Sequence, residues 1–427
     1  MKMNALSALT FLLAGCVPVG QSSTNSSNHK VLRNIDYAYE RQIRTILLRP
    51  EFGNPGSYLQ PAVSRLGQAD LRLEFDDLNT QRESYYLRIV HCNRDWSKSD
   101  LQDLDFLNDF NEFVINDFEY SVDTHIPYVH YWIDLPHVKL PGNYLAVVYR
   151  AGDKSDFVLS RRFMIYDTRI SFGNERNLIG AGSIAALNQQ INFTVNYRNL
   201  DIINPLENLN VTILQNHRWD NMATDIPPSF VREIEKQVEY RFFTEDRMFK
   251  GGSEFRFFDL RSLHSPGRNV ASVDKRSKPF EVFIEKDRSR SGEPYSQYDD
   301  YNGNFIISNL DYNSDNFTNY ANINFILASR PLPGKVYVTG AFNYWNLDDN
   351  NRMSYDSARQ EYHARILLKQ GWYDYQYVIS SNKLPPYHLE GSHFETENYY
   401  EILVYYRPFQ PRADLLIGYL RLEKNPR

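Results

Sequence analysis

The feature that most constrains this chain is an alternation that keeps restarting. Runs such as "IRTILLR" from 43, "LRLEF" from 71, "YYLRIVH" from 85, "YVHYWID" from 128 and "YLAVVYR" from 144 carry apolar or aromatic side chains in a strand-like pattern, and Pro, Gly, Asp and Asn clusters separate them. Successive side chains of a strand point to opposite faces, so a period of two reads as a half-buried strand. The pattern continues in "INFTVNY" from 191, "LNVTILQ" from 209, "VEYRFFT" from 238, "EFRFFD" from 254 and "FEVFIE" from 280. Only "PSFVREIEKQ" from 228 suits a short helix. The 31 Tyr and 26 Phe raise aromatics to 15%, and such residues favour pleated, half-buried surfaces. The expectation is an all-β chain of three tandem β-sandwich domains, immunoglobulin-like in type.

Two polar, turn-rich breaks set the expected boundaries. "DTRISFGNERNLIGAG" at 167–182 and "KDRSRSGEPYSQYDDYNGN" at 286–304 divide the body into a first sandwich at 31–167, a middle β-rich domain at 168–310 and a C-terminal sandwich at 320–427. "LPGNYLAVVY" at 140–149 and "KQGWYDYQYV" at 369–378 share a Gly-x-Tyr entry into a strand, which marks sandwiches at both ends.

Residues 1–16, "MKMNALSALTFLLAGC", join Lys2 to an apolar run too short to span a membrane and a small-residue exit, the layout of a secretory signal. Leu13-Ala14-Gly15-Cys16 resembles a bacterial lipobox. The resemblance implies a signal peptide at 1–15, lipidation of Cys16 and a membrane attachment through the lipid. Val17 stands where an aspartate would favour the inner membrane, so the expected address is the periplasmic face of the outer membrane. Residues 16–30, rich in Ser and Asn, form a flexible leash reaching roughly 20 Å.

With Cys16 lipidated, Cys92 is the sole remaining cysteine, and stability rests on packed cores rather than on an internal disulfide. A net charge of −6 supplies no basic field for nucleic acid. No H-E-x-x-H, G-x-S-x-G, P-loop or C-x-x-C occurs, so neither an enzymatic activity nor a cofactor is expected. His125, His130 and His137 lie in "HIPYVHYWIDLPH", but an indole, Trp132, sits between His130 and Asp134 on their strand face, and no metal site is expected. "DYNSDN" at 311–316 imitates half a calcium loop without its central glycine. The pairs Asp76/Asp77, Asp299/Asp300 and Asp348/Asp349 read as exposed turns, and the basic residues from Lys275 to Arg290 as a solvated loop.

Residues 334–380 resemble the glycogen-binding family of immunoglobulin-like modules, through "VYVTGAFNYWN", Met353 and "GWYDYQYVI". Trp345 stands where that family carries a sugar-stacking indole, whereas "SSNKLPPYHL" replaces the second half of its platform. This supports the alternative reading, a carbohydrate-binding lipoprotein of a glycan-uptake system. A longer series resembles the plug protein family of the type IX secretion system: "HCNRDWSKSDL" at 91–101, "NEFVINDFEYSVDTHIPYVHYWIDLP" at 111–136, "LPGNYLAVVY" at 140–149, "QNHRWDN" at 215–221, "FRFFDLRSL" at 255–263 and "DDYNGNF" at 299–305. The resemblance implies a non-enzymatic outer-membrane lipoprotein, a monomer within a complex, seated on a very large outer-membrane β-barrel translocon. Trp96 and Trp219 are the candidate interface anchors.

Overall fold

The computed structural model describes residues 30–50, 55–68, 71–174, 186–241, 248–312 and 314–426. Cys16 and all of the leash before Lys30 lie outside them. The fold is all-β, with mostly antiparallel sheets. Each alternating run of the sequence contains a strand within the described residues, among them Ile43–Pro50, Leu71–Asp77, Tyr85–Cys92, Val129–Asp134 and Gly142–Arg150, while the end of "VEYRFFT" from 242 lies outside those residues.

The first body is a sandwich. One sheet orders Tyr37–Ala38, Phe157–Tyr166, Gly142–Arg150, Tyr85–Cys92 and Phe113–Ile115, with Val63–Arg65 added parallel to Phe157–Tyr166. The facing sheet orders Ile43–Pro50, Leu71–Asp77, Val129–Asp134 and Asp117–Tyr120. Tyr85, Leu87 and Ile89 from the first meet Leu73, Phe75 and Tyr131 from the second, all fully buried. Burial of each such side chain is worth about 1.5–3 kcal/mol. The rings of Phe75 and Tyr131 stack at 5.2 Å, and Tyr85 stands edge-on to both.

The expected division of the remaining chain does not follow the strand pairing. Leu209–Gln215 pairs not with its sequence neighbours but with Asn398–Tyr406, which pairs in turn with Leu415–Lys424. The second body thus takes strands from Ser171–Asn174 to Phe249–Lys250 and completes itself with the last two strands of the chain. The third body, from Arg256–Asp259 to Gly371–Ser380, is inserted between them, so the sandwiches are nested rather than tandem. A polar break marks where a chain leaves one sheet but not whether it returns. The helix suggested at 228 is instead a hairpin, Phe230–Arg232 against Gln237–Tyr240, because Val231 and Val238 pair across it and Val238 is buried in the second core.

The Gly-x-Tyr echo has a physical counterpart. Tyr144 Oη donates to the Leu140 carbonyl at 2.6 Å and Tyr373 Oη to the Lys369 carbonyl at 2.5 Å, so each hydroxyl reaches back four residues and pins the turn that feeds its strand.

The bodies are packed hard against one another. Gly142–Arg150 is buried on both faces: Tyr144, Ala146 and Val148 enter the first core, while Leu145, Val147 and Tyr149 join Val90 and Cys92 against Leu214, Leu403 and Leu416 of the second body. The first body also meets the third, where Tyr128 Oη donates to the Thr318 carbonyl at 3.0 Å and the His125 ring stacks on Phe280 at 3.9 Å. Three mutually packed lobes result.

Candidate functional site: an arginine and tryptophan seam between three bodies

Where the three bodies converge, a small cavity of about 90 Å³ is ringed by residues from each, including Arg161, Arg162, His217, Trp219, Tyr344 and Trp345. Two consecutive arginines on Phe157–Tyr166 organise it. Arg162 Nε and Nη2 donate to the Asp36 carboxylate at 3.0 and 2.8 Å, and its guanidinium lies over Trp219 at 4.6 Å and Trp96 at 5.4 Å. The two indoles meet edge to face at 4.9 Å. Arg161 lies over Tyr344 at 4.5 Å, and Arg218 over Trp345 at 4.0 Å. Cations held over aromatic faces contribute up to about 2 kcal/mol each when desolvated.

Trp96, His217, Tyr344 and Trp345 adopt left-handed backbone with φ of 64°, 53°, 57° and 62°. Bulky residues rarely take that conformation, and it persists only where surrounding contacts over-determine it. Here the contacts are the seam itself. Gly303, from the "DDYNGNF" turn, passes so close to Trp345 that a Cβ would stand 2.3 Å from Cη2. Its φ of +83° also favours glycine. The Gly303 N–H and the Trp372 indole N–H donate to Asp374 at 3.2 and 2.9 Å, tying that turn to Gly371–Ser380. Burial first, and then Asp300, push the Asp374 carboxyl well above the usual carboxylate range.

Two further buried carboxylates join elements far apart in sequence. Asp76, fully buried, accepts from Lys369 Nζ at 2.7 Å and Tyr320 Oη at 2.6 Å of the third body and shares a 2.7 Å hydrogen bond with His130 Nδ1. Burial pushes its pKa up, but Lys369 and His130 outweigh it and hold the group below the usual carboxylate range. Glu390 accepts from Arg256 Nε at 3.0 Å, Arg290 Nε at 2.8 Å and the Tyr377 backbone N–H at 2.7 Å.

Burial is again the largest influence on Glu390 and raises its pKa, yet the two guanidiniums overcome it and leave the group at about 2. A folded-state value below the ordinary 4.5 means that this carboxylate stabilises the fold above that pH and ceases to do so as pH falls from about 4.5 toward 2. The contribution lost is on the order of 3 kcal/mol. Acid titration followed by near-ultraviolet circular dichroism should therefore show a stability gap between the native protein and Glu390→Gln that closes across this window. A gap that stays constant down to pH 2 would contradict the assignment.

The structure places the sequence-derived candidates as follows. Trp96 and Trp219 do come together, but inside the seam, with Trp96 only 4% exposed. Trp345 is 7% exposed, and the Arg218 guanidinium lies over its ring, so it presents no free stacking platform. Asp76 and Asp77 are not an exposed turn: both are fully buried, Asp77 accepting from Tyr85 Oη at 2.7 Å on the other side of the strand from Asp76. Asp348 and Asp349 are exposed as expected. His130 is engaged by Asp76, and Asp134 by Arg72 at 2.7 Å. In the basic run, Arg276 is exposed but Arg290 is drawn to Glu390. Asp311 accepts from the Leu263 backbone N–H at 2.7 Å. Sequence reasoning missed Arg161, Arg162 and Lys369. The signal for the first two was there, since consecutive arginines in an otherwise apolar strand must find partners.

Residues 43–167, the first body and its seam strands, match the family model described as the type 9 secretion system plug protein first domain. Over that segment the chain is similar to the type 9 secretion plug family. No curated protein matches the chain. A crystal structure of a hypothetical protein from Parabacteroides merdae is similar over 92% of this chain and 100% of its own, with 28% identity and a TM-score of 0.85. The likeness thus extends across all three bodies, including the nested third. The plug family is one of cell-envelope secretion, and the matched segment contributes Arg161, Arg162 and Trp96 to the seam.

Proposed function

We propose that the protein is a non-enzymatic plug that seats against the periplasmic mouth of the type IX outer-membrane β-barrel translocon and closes it while no cargo is inside. The observation that carries this reading is the plug-family match of the first body. The interlocked build supports it: a stopper must keep its shape, and the three sandwiches pack against one another around the seam. The buried state of Trp345 gives the carbohydrate-binding alternative little to stand on.

Cells lacking the protein but still assembling the barrel are expected to admit a bulky impermeant dye that cells lacking both exclude. Equal, low uptake in the two strains would refute the plug. Anchoring on the periplasmic face of the outer membrane belongs to the same proposal and rests on Leu13-Ala14-Gly15-Cys16. Labelled palmitate should enter the native protein and not Cys16→Ser, and labelling of both would place the lipid elsewhere.

A further inference from the structure

Single exposed apolar residues are ordinary on a protein surface, whereas several converging on one end are not. At one end of the second body the loops 197–208, 233–236 and 407–412 lie side by side. Lys236 Nζ contacts the Leu200 carbonyl at 3.3 Å and Asp201 at 3.0 Å, Asn208 Nδ2 donates to the Ile203 carbonyl at 2.7 Å, and the Arg407 N–H reaches the Asn208 carbonyl at 3.4 Å. Leu200 and Ile202 pack on the core and Pro205 is buried, which fixes the loop and leaves its other apolar residues outside. Ile203 is 84% exposed, Leu206 60%, Ile234 98% and Phe409 92%.

Charge decides what such a tip enters. Glu233 and Glu235 flank Ile234, Asp201 precedes Ile203 by two residues, and Glu207 follows Leu206. Carboxylates set among the apolar tips oppose entry into lipid, whose apolar-loop and helix binders surround themselves with Lys and Arg. Arg198, Lys236, Arg407 and Arg412 balance those acids, so the exposed apolar side chains are interspersed with charges of both signs, as at a protein interface rather than a lipid-binding face. The tip also lies away from the start of the described chain. Lys30 is held by Glu40 and Asp156 beside the Arg150 end of Gly142–Arg150, while Arg407 reaches Asn93, which follows Cys92, the partner of Asn143 at the other end. The intervening strand spans roughly 25 Å.

We propose that Ile203, Leu206, Ile234 and Phe409 form the docking tip of the plug and enter apolar pockets, rimmed by mixed charges, on the periplasmic face of the barrel protein. This rests on the plug reading and assigns its contact surface. The test is photocrosslinking in cells from a benzophenone amino acid placed at Phe409 or Ile234 of the full chain, with Phe110 and Phe283, exposed on the first and third bodies, as controls. The barrel protein should be captured from the two tip positions at least tenfold more than from the controls. Capture from the controls alone would overturn the tip while leaving the plug standing, and a second copy captured in place of the barrel would replace it with self-association. Absence of barrel adducts at all four positions would remove the plug reading and the tip with it. Ile234→Ser combined with Phe409→Ser, both nearly fully exposed and so expected to leave the melting temperature unchanged, should lower copurification of the barrel at least tenfold and leave sedimentation with phosphatidylethanolamine and phosphatidylglycerol vesicles unaltered. Vesicle binding that the native protein shows and the double variant loses would reassign the tip to lipid.

Discussion

Asp76→Ala is expected to destabilise the protein by about 3–5 kcal/mol, the range for breaking a buried ion pair from one side. The physical reason is what it leaves behind. Lys369, only 5% exposed, would keep its ammonium inside the contact between the first and third bodies with its carboxylate gone, and Tyr320 Oη would lose its charged acceptor and be left with Thr45 Oγ1. The carboxylate is not valuable because ion pairs stabilise in general, since the desolvation of both partners offsets most of their attraction. It matters because each group is tolerable only with the other. Asp76→Leu together with Lys369→Met should therefore recover much of the loss. Thermal melts of the single and double variants check this, and a double variant no more stable than Asp76→Ala alone would show that the pair is not the source of the effect.

Trp345→Ala is expected to cost about 3–5 kcal/mol, as for other large buried aromatics truncated to alanine. Its ring fills the space against Gly303, Phe255 and the Arg218 guanidinium, so its removal leaves a cavity among them. Arg218 would lose the face that it covers, which adds to the cavity term. Retention on an α-glucan affinity gel should be the same for the native protein and the variant. A variant with an unchanged melting temperature and lost glucan retention would restore the indole to a sugar-binding role and with it the glycan-uptake reading.

Much of the architecture was legible because strands are local. Alternation in "YYLRIVH" or "LNVTILQ" depends only on which side chains face which way, and the segments that carry it are strands in the fold. The Gly-x-Tyr entries were legible for the same reason: Tyr144 and Tyr373 each bond four residues upstream. Less could be read of the seam. Trp96, Trp219 and Trp345 stood out as large aromatics, but a sequence does not distinguish an indole that meets a partner from one that meets an arginine of its own chain. Arg161 and Arg162 on one strand, and Arg218 in a loop of another body, supply that difference only after folding.

The sequence by itself determined the strands, their turns and the tyrosines that pin two of them, since a period of two and a glycine before a tyrosine act over a few residues. The tertiary structure alone decided that Leu209–Gln215 would take Asn398–Tyr406 as its partner, that Asp76 would be buried against Lys369, and that the last two strands would close the second body around an inserted third. Backbone hydrogen bonding at a strand edge carries no address. Any exposed edge accepts any strand, and the choice falls to the packing of side chains separated by nearly two hundred residues or more.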